Sequence, residues 1–400
     1  MDQQMYHQNE IPYSGHPMSN GQPQYQGQPP YQGQPPYQGQ PSYQGQPIQW
    51  DFYHTNSPMQ NERMQEEYRL QNERMQLLME NKRKKKEIGR LSRVLIYYTL
   101  AMFLPTLTYT FIYTVYLAFK YRSNSFVMEE KINTLLQDIT RNGWLYLIGL
   151  TLGFLILLIY RRKKLFSEDI IGKRGAMKVS TFLILIILLL TPNTFVTLFA
   201  YGSEVFLNLF GLTSQGALPE ILSSAGMSIS MLLYVVIFGP IMEEILFRGV
   251  LLHRLEKYGK VFAITVSAIC FGIFHGNLTQ GLFAISVGLL LGYVALEYSL
   301  KWSIVFHILN NGLSMGLDML MNHYPNIRVE WISFIGFAVI TVIGIIVLLV
   351  RKPQLSAYIK EHPTVPRSKT LVFGNPWFIV FLCVYFVTFV LYLVSAISVI

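Results

Sequence analysis

The sequence predicts an all-α protein, a polytopic transmembrane helical bundle of about nine spans with a disordered cytosolic N-terminal tail. Three observations carry this reading. Of 400 residues, 51% are hydrophobic and 14% aromatic, with a mean hydropathy of +0.32, more apolar surface than one soluble core would bury. Runs near the twenty or so residues that cross a bilayer begin around Val94, Gly143, Ser180, Met227, Val261, Gly281, Trp302, Trp331 and Pro376. Basic residues gather beside these runs, where they orient helices and meet anionic headgroups.

The elements follow in order. Residues 1–57 form the tail, in which a six-residue unit, YQGQPP with small variations, sets Tyr25, Tyr31, Tyr37 and Tyr43 in register. Gln, Pro and Gly without aliphatic residues bury too little apolar surface to offset the entropy of ordering, so a solvated tether is expected. Residues 58–90 carry QNERMQ at Gln60 and again at Gln71. A spacing of eleven returns a helix to nearly the same face, so Met64, Tyr68, Met75 and Met79 make an apolar stripe on a cytosolic helix, resting on the membrane or a partner. It ends in KRKKK, Lys82 to Lys86, an inside anchor. Residues 91–226 are N-terminal transmembrane helices, 227–321 a core with the polar motifs described next, and 322–400 C-terminal transmembrane helices.

Basic residues test the threading. Lys82 to Lys86, Arg161 to Lys164, Arg254 with Lys257 and Lys260, Lys301, and Arg351 with Lys352 all fall on one side if the N-terminus is cytoplasmic. The loop from Gly202 to Gly226 has Glu204 and Glu220 but no Lys or Arg, which suits the outside. The segment from Lys120 to Asn142 mixes both signs and fits less well. Nine spans leave Ile400 outside a cell membrane. The formal charge of +9 is thereby assigned to membrane lipids, and no nucleic-acid partner is implied. Cys270 and Cys383 lie inside apolar runs and read as small buried hydrophobes. The N-terminus is polar, so no cleavable leader is expected.

One stretch breaks the apolar pattern. FGPIMEEILFRGVLLHRL, Phe238 to Leu255, puts Glu243, Glu244 and Arg248 in a run otherwise suited to lipid. An ionisable side chain there costs at least ~2.5 kcal/mol on insertion scales, so it faces a partner or a water-filled cavity, and usually has a job. Glu244 and Arg248 are four apart with the acid N-terminal, the favourable order for an ion pair on one helix face. Glu243 is turned about 100° away on a 3.6-residue helix and has no such partner. The sequence therefore gives structure to Glu244 and chemistry to Glu243. Gly239 and Pro240 just before them interrupt the helical ladder, since proline has no N–H for the carbonyl of Val236.

Two later spans add polar groups. CFGIFHGN places Phe271 and His275 four apart, and FHILNNG does the same for His307 and Asn311. A single intramembrane histidine often only bonds a carbonyl across helices. Together, though, a carboxylate, two imidazoles and a carboxamide supply a general base, a proton shuttle and an oxyanion donor, the parts needed to add water to a peptide carbonyl.

At these residues the chain resembles the CPBP family of intramembrane proteases, which includes type II CAAX prenyl proteases and lysostaphin-resistance-protein-like bacterial membrane proteins. EEILFR fits its EExxxR signature, FGIFH fits FxxxH and HILNN fits HxxxN, in the family's order, over roughly Met227 to Met321. EYSLKW, Glu297 to Trp302, departs from the small turn that many members have before the last motif. The resemblance implies an intramembrane endopeptidase acting on peptide or membrane-protein substrates, prenylated or not. In it Glu243 activates water with His275, His307 and Asn311 steady the oxyanion, and Glu244, Arg248 and Phe271 brace the site. It suggests that no metal cofactor is required. Zinc is the alternative, with Glu243, His275 and His307 as legitimate ligands, although HExxH is missing.

Depth poses a difficulty. Glu243 and His307 read as lying near the cytoplasmic ends of their spans, whereas His275 is about fifteen residues from Lys260, or ~20 Å along a straight helix. The expectation is a tilted or broken fifth span, with GNLTQG dipping into a protein-lined cavity. Two other function classes stay open: a catalytically silent scaffold that binds membrane partners through the same cavity, and a proton-coupled transporter. Against the transporter, no pair of corresponding broken helices suggests two related halves. The sequence does not give the oligomeric state.

Overall fold

The apolar runs fold as helices in a computed structural model that describes residues 58–162, 175–213, 227–324 and 327–399. The tyrosine repeats of the tail, Lys163, Lys164, Glu220 and Ile400 lie outside the described residues. Of a first compact unit, Met1–Gln65, residues 58–65 are described and are helical. The second unit, Glu66–Ile400, carries the spans.

The helices are α1 (Pro58–Lys120), α2 (Ser125–Arg141), α3 (Trp144–Arg161), α4 (Val179–Leu190), α5 (Pro192–Asn208) and α6 (Ile229–Tyr258), then α7 (Lys260–Phe274), α8 (Leu278–Glu297), α9 (Leu300–His323), α10 (Ile327–Glu361), α11 (Ser368–Phe373) and α12 (Pro376–Ala396). Counting Val179–Asn208 as one, eight helices among the described residues are long and apolar enough to cross a membrane. The ninth expected span, at Val261, is instead the 15-residue α7. Composition alone does not see where it stops: the chain turns at Gly276, and Asn277 caps α8 by accepting a hydrogen bond from the Gln280 N–H at 2.8 Å. The mixed-charge segment after Lys120 also folds, as α2, with Asn124 accepting from the Val127 N–H.

Contacts sort the helix ends into two faces. Asn375 Nδ2 donates to the Lys85 carbonyl at 2.9 Å. Glu87 pairs with Lys257 at 2.5 Å and Arg254 at 3.3 Å, and the Val365 N–H donates to the Tyr258 carbonyl at 3.0 Å. These bonds gather the basic part of α1, the end of α6 and the start of α12. At the far end of α12, strand β2 (Ser398–Val399) pairs antiparallel with β1 (Leu212–Thr213), with Leu212 opposite Val399. Leu212 and Thr213, in the described part of the loop without basic residues, therefore share a face with the last described residues, away from the basic cluster.

Large apolar side chains point outward along the spans, among them Phe111, Ile159, Val350 and Leu391, the surface expected of a protein solvated by lipid. Tyr68, Met75 and Met79 are likewise exposed, so among the described residues nothing covers their stripe. The tightest packing surrounds α6, α7 and α8, where Leu246, Phe247, Val250, Ala263 and Leu291 are fully buried. Helix α3 reaches α1 through two small residues four apart. A Cβ on Gly149 would stand 2.1 Å from the Met102 carbonyl oxygen, and one on Gly153 would stand 2.6 Å from the Tyr98 ring. Only glycine allows this approach.

Candidate active site

Helix α6 does not break at Gly239 and Pro240; it widens. The regular turn Gly239–Glu244 is flanked by π-type stretches, Tyr234–Phe238 and Ile245–Leu252. Such wide turns absorb the missing proline N–H without opening the helix. A carbonyl in the first of them, that of Val235, accepts instead from Asn311 Nδ2 on α9 at 3.0 Å. The disturbance in α6 thus anchors one of the motif residues of α9.

The two adjacent glutamates meet opposite surroundings. Glu244 is fully buried. Its Oε1 accepts from Arg248 Nη1 at 2.8 Å and from His307 Nδ1 at 2.9 Å, and Ser303 Oγ donates to its Oε2. A carboxylate can only accept, so these donors occupy it while Arg248 balances its charge. Arg248 is buried as well, its guanidinium 4.2 Å from the centroid of the Phe271 ring. Glu243 keeps 18% of its side chain exposed, and its Oε2 lies 3.6 Å from His307 Nε2, beyond hydrogen-bond length. One carboxylate is saturated and the other is open.

The imidazoles are oriented by what they touch. His275 terminates α7, and its Nδ1 lies 2.8 Å from the Phe271 carbonyl. A carbonyl only accepts, which assigns the hydrogen to Nδ1 and leaves Nε2 free. The same argument at Glu244 puts the hydrogen of His307 on Nδ1. The Phe271 ring stands edge to face with both, at 4.8 Å from His275 and 5.6 Å from His307. No direct bond joins His275 to Glu243.

The difficulty with depth resolves in α6. The helix continues through HRLEKY to Tyr258, so Glu243 stands fourteen residues before Lys257, about 21 Å of helix. That matches the distance of His275 from Lys260. The expectation that Glu243 lies near the cytoplasmic end is corrected: the polar sequence after Leu252 reads as a loop but is helical. The short α7 supplies the rest, because it ends at the level where His275 is needed. GNLTQG forms the turn into α8 and helps line an apolar cavity of about 540 Å³ that also touches Leu382, Tyr385 and Phe386 of α12.

Sequence reasoning missed Ser303 and Asn310. Ser303, fully buried, stands one turn before His307 and also lies 3.1 Å from the Leu291 carbonyl. The spacing Ser303, His307, Asn311 at every fourth position was its signal. Asn310 donates through Nδ2 to Asn311 Oδ1 at 3.2 Å and so fixes that amide. Among the described residues, no three His, Cys, Asp or Glu side chains are grouped to ligate a metal. Saturation of Glu244 and the hold of Phe271 on His275 Nδ1 leave Glu243 and His307 Nε2 as the close pair.

Residues 225–313 match the family model described as type II CAAX prenyl endopeptidase Rce1-like. This span contains the seven motif residues Glu243, Glu244, Arg248, Phe271, His275, His307 and Asn311, and it supports the resemblance that EEILFR, FGIFH and HILNN carry. The chain is a multi-pass membrane protein with a segment similar to CAAX-type membrane endopeptidases. No curated protein and no solved structure matches it.

Proposed function

We propose that this protein is an intramembrane endopeptidase in which Glu243 activates water for attack on a peptide carbonyl of a membrane-associated substrate. The observation that carries the reading is the contrast between the glutamates: Glu244 is closed by three donors, and Glu243 is left open beside His307. A general base must hold a free lone pair, and the uncommitted carboxylate of Glu243 supports that role. The water oxygen bonds to the carbonyl carbon as its proton passes to Glu243, assisted by His275 through Nε2. The tetrahedral oxyanion forms near His307 Nε2, when that nitrogen carries a proton, and near Asn311, whose Nδ2 has a second hydrogen beyond the one given to Val235. Collapse breaks the C–N bond, and the proton held by Glu243 goes to the leaving amine. No step in this scheme is routed through a metal.

The test is cleavage of a peptide library by the purified protein, followed by single-turnover rates on the best peptide. Glu243→Gln keeps shape and hydrogen bonding but takes no proton, so turnover should fall by roughly 10²-fold or more. A Glu243→Gln protein that cleaves at the original rate would overturn the assignment.

A further inference from the structure

In the proposed reaction Asn311 offers the oxyanion the second hydrogen of its amide, which serves only if the amide cannot turn. One end of that amide is held by α6. The Val235 carbonyl lacks a helical donor: the Gly239 N–H, four residues on, bonds to the Tyr234 carbonyl instead, and Pro240, five on, has no N–H. Asn311 Nδ2 fills the gap at 3.0 Å. A carbonyl only accepts, so this contact turns the NH2 of Asn311, and not its oxygen, towards α6. Alone it leaves the amide plane free to swing, because the last torsion of asparagine has no sharp preference.

The other end is held by Asn310, whose Nδ2 lies 3.2 Å from Asn311 Oδ1. Successive residues on a helix point about 100° apart and do not ordinarily face each other, so the two side chains lean together to make this bond. Asn310 is only 5% exposed, and its own Oδ1 has no hydrogen-bond partner among the described residues. An apolar side chain would fill the place without an orphaned acceptor, so it is the bond to Asn311 that accounts for an asparagine here. The two contacts make a chain of donors, Asn310 to Asn311 to Val235, from α9 to the widened turns of α6. His307 stands one turn before Asn311 on α9 with its Nε2 3.6 Å from Glu243, so Asn311 shares the helix face that turns towards Glu243.

We infer that Asn310 is a positioning residue for hydrolysis, which holds Asn311 through its Oδ1 so that the remaining Nδ2 hydrogen stays directed at the oxyanion. The inference rests on the peptidase reading given above. Asn310 itself touches neither substrate nor water. It fixes the amide plane, and the bond accepted at Oδ1 polarises the amide, which makes its N–H a stronger donor. An oxyanion donor acts on the transition state and not on the bound substrate, so a misaligned Asn311 lowers kcat and leaves KM as it was. Because Asn310 works only through Asn311, its loss has no further effect once Asn311 is gone.

The experiment measures kcat and KM for wild type, Asn310→Leu, Asn311→Leu, the double variant and Glu243→Gln on one quenched fluorescent peptide, with thermal unfolding of each in the same detergent and rates expressed per folded protein. The expected kcat of Asn310→Leu is lower by roughly 10-fold, the weight of one hydrogen bond, with KM unchanged. Asn311→Leu should lose roughly 10²-fold, as for one oxyanion donor, and the double variant should lose no more than Asn311→Leu alone. If the two losses multiply in the double variant, or if Asn310→Leu keeps the wild-type kcat, while Glu243→Gln is inert, the role of Asn310 is overturned and the peptidase reading stands. An Asn311→Leu protein with the wild-type kcat overturns that role too. Should Asn310→Leu not fold, Asn310→Ala, which removes the same donor and adds no bulk, takes its place in the cycle. If wild type and Glu243→Gln do not differ in turnover, the peptidase reading fails and Asn310 loses its role with it.

Discussion

The pairing of Glu244 with Arg248 can be tested by removing its charges one at a time. In Glu244→Gln the amide retains one oxygen, while its NH2 replaces an acceptor that now faces donors. Arg248 Nη1, His307 Nδ1 and Ser303 Oγ converge on the carboxylate, so at least one of them is left unpaired. Arg248 in addition loses its counter-charge at zero exposure. Removing one partner of a buried pair costs roughly 3–5 kcal/mol, a large part of the stability of any domain. The reverse single variant, Arg248→Gln, leaves the Glu244 charge uncompensated and should cost a similar amount. The double variant removes both charges and should be more stable than the sum of the singles predicts, by roughly 0.5–3 kcal/mol of coupling. Glu243→Gln, at a carboxylate with no bound donor, should stay within about 0.5 kcal/mol of wild type. The assay is thermal unfolding of the proteins in one detergent. Strict additivity of Glu244→Gln and Arg248→Gln, or a Glu243→Gln protein that unfolds while Glu244→Gln is stable, would refute the division of roles.

Three other predictions concern metal, backbone and pH. Exhaustive chelation should leave peptide cleavage intact and purified protein should carry substoichiometric metal; zinc at one per chain that disappears in His275→Ala or His307→Ala would reverse this. Gly259 joins α6 to α7 at φ 112°, and a Cβ there would stand 2.6 Å from the Pro363 carbonyl oxygen, so Gly259→Ala should lower stability by about 1–3 kcal/mol in the same melts. Glu87, on the polar part of α1 ahead of its apolar run, loses some solvation to burial, but its bond and ion pair with Lys257, reinforced by Arg254, outweigh that and hold its pKa below the usual carboxylate value. A depressed folded-state pKa stabilises above the unfolded value of about 4.3 and stops doing so as pH falls through the folded value. Glu87→Gln should therefore melt lower than wild type at pH 7, by no more than about 1 kcal/mol because the pair is partly exposed. The gap should narrow as the pH of the melts falls below that unfolded value and vanish once it has passed through the lower folded one.

Much of the site was legible because ionisable groups are conspicuous in apolar runs. Glu243, Glu244, Arg248, His275 and His307 stand out by chemistry, and the four-residue spacing of Glu244 and Arg248 already specifies the bond found at 2.8 Å. Less conspicuous residues were missed for the same reason. Ser303 and Asn310 are small polar groups that a transmembrane helix tolerates. Helix ends were the weakest part of the reading. The α7 stop depends on a positive φ at Gly276 and a cap by Asn277, which hydropathy does not register. The extension of α6 through Arg254 and Lys257 depends on partners as remote in sequence as Glu87.

The arrangement also explains why an arginine and two glutamates occur within six residues. A lone carboxylate buried as deeply as Glu244 would be protonated or would draw in a cation, and Arg248 removes that need, whereas Glu243 keeps 18% of its side chain exposed. Glu244 and Arg248 together are neutral and immobile, fixed by Ser303 from α9 and stacked on Phe271 from α7. They attach α6 to both helices that carry the imidazoles. Because His307 Nδ1 is bound to the closed carboxylate, its Nε2 points to the open one. Under the proposed function, the closed glutamate thereby orients the imidazole that faces the open one, and their adjacency follows: carboxylates about 100° apart on one turn reach two sides of a single imidazole.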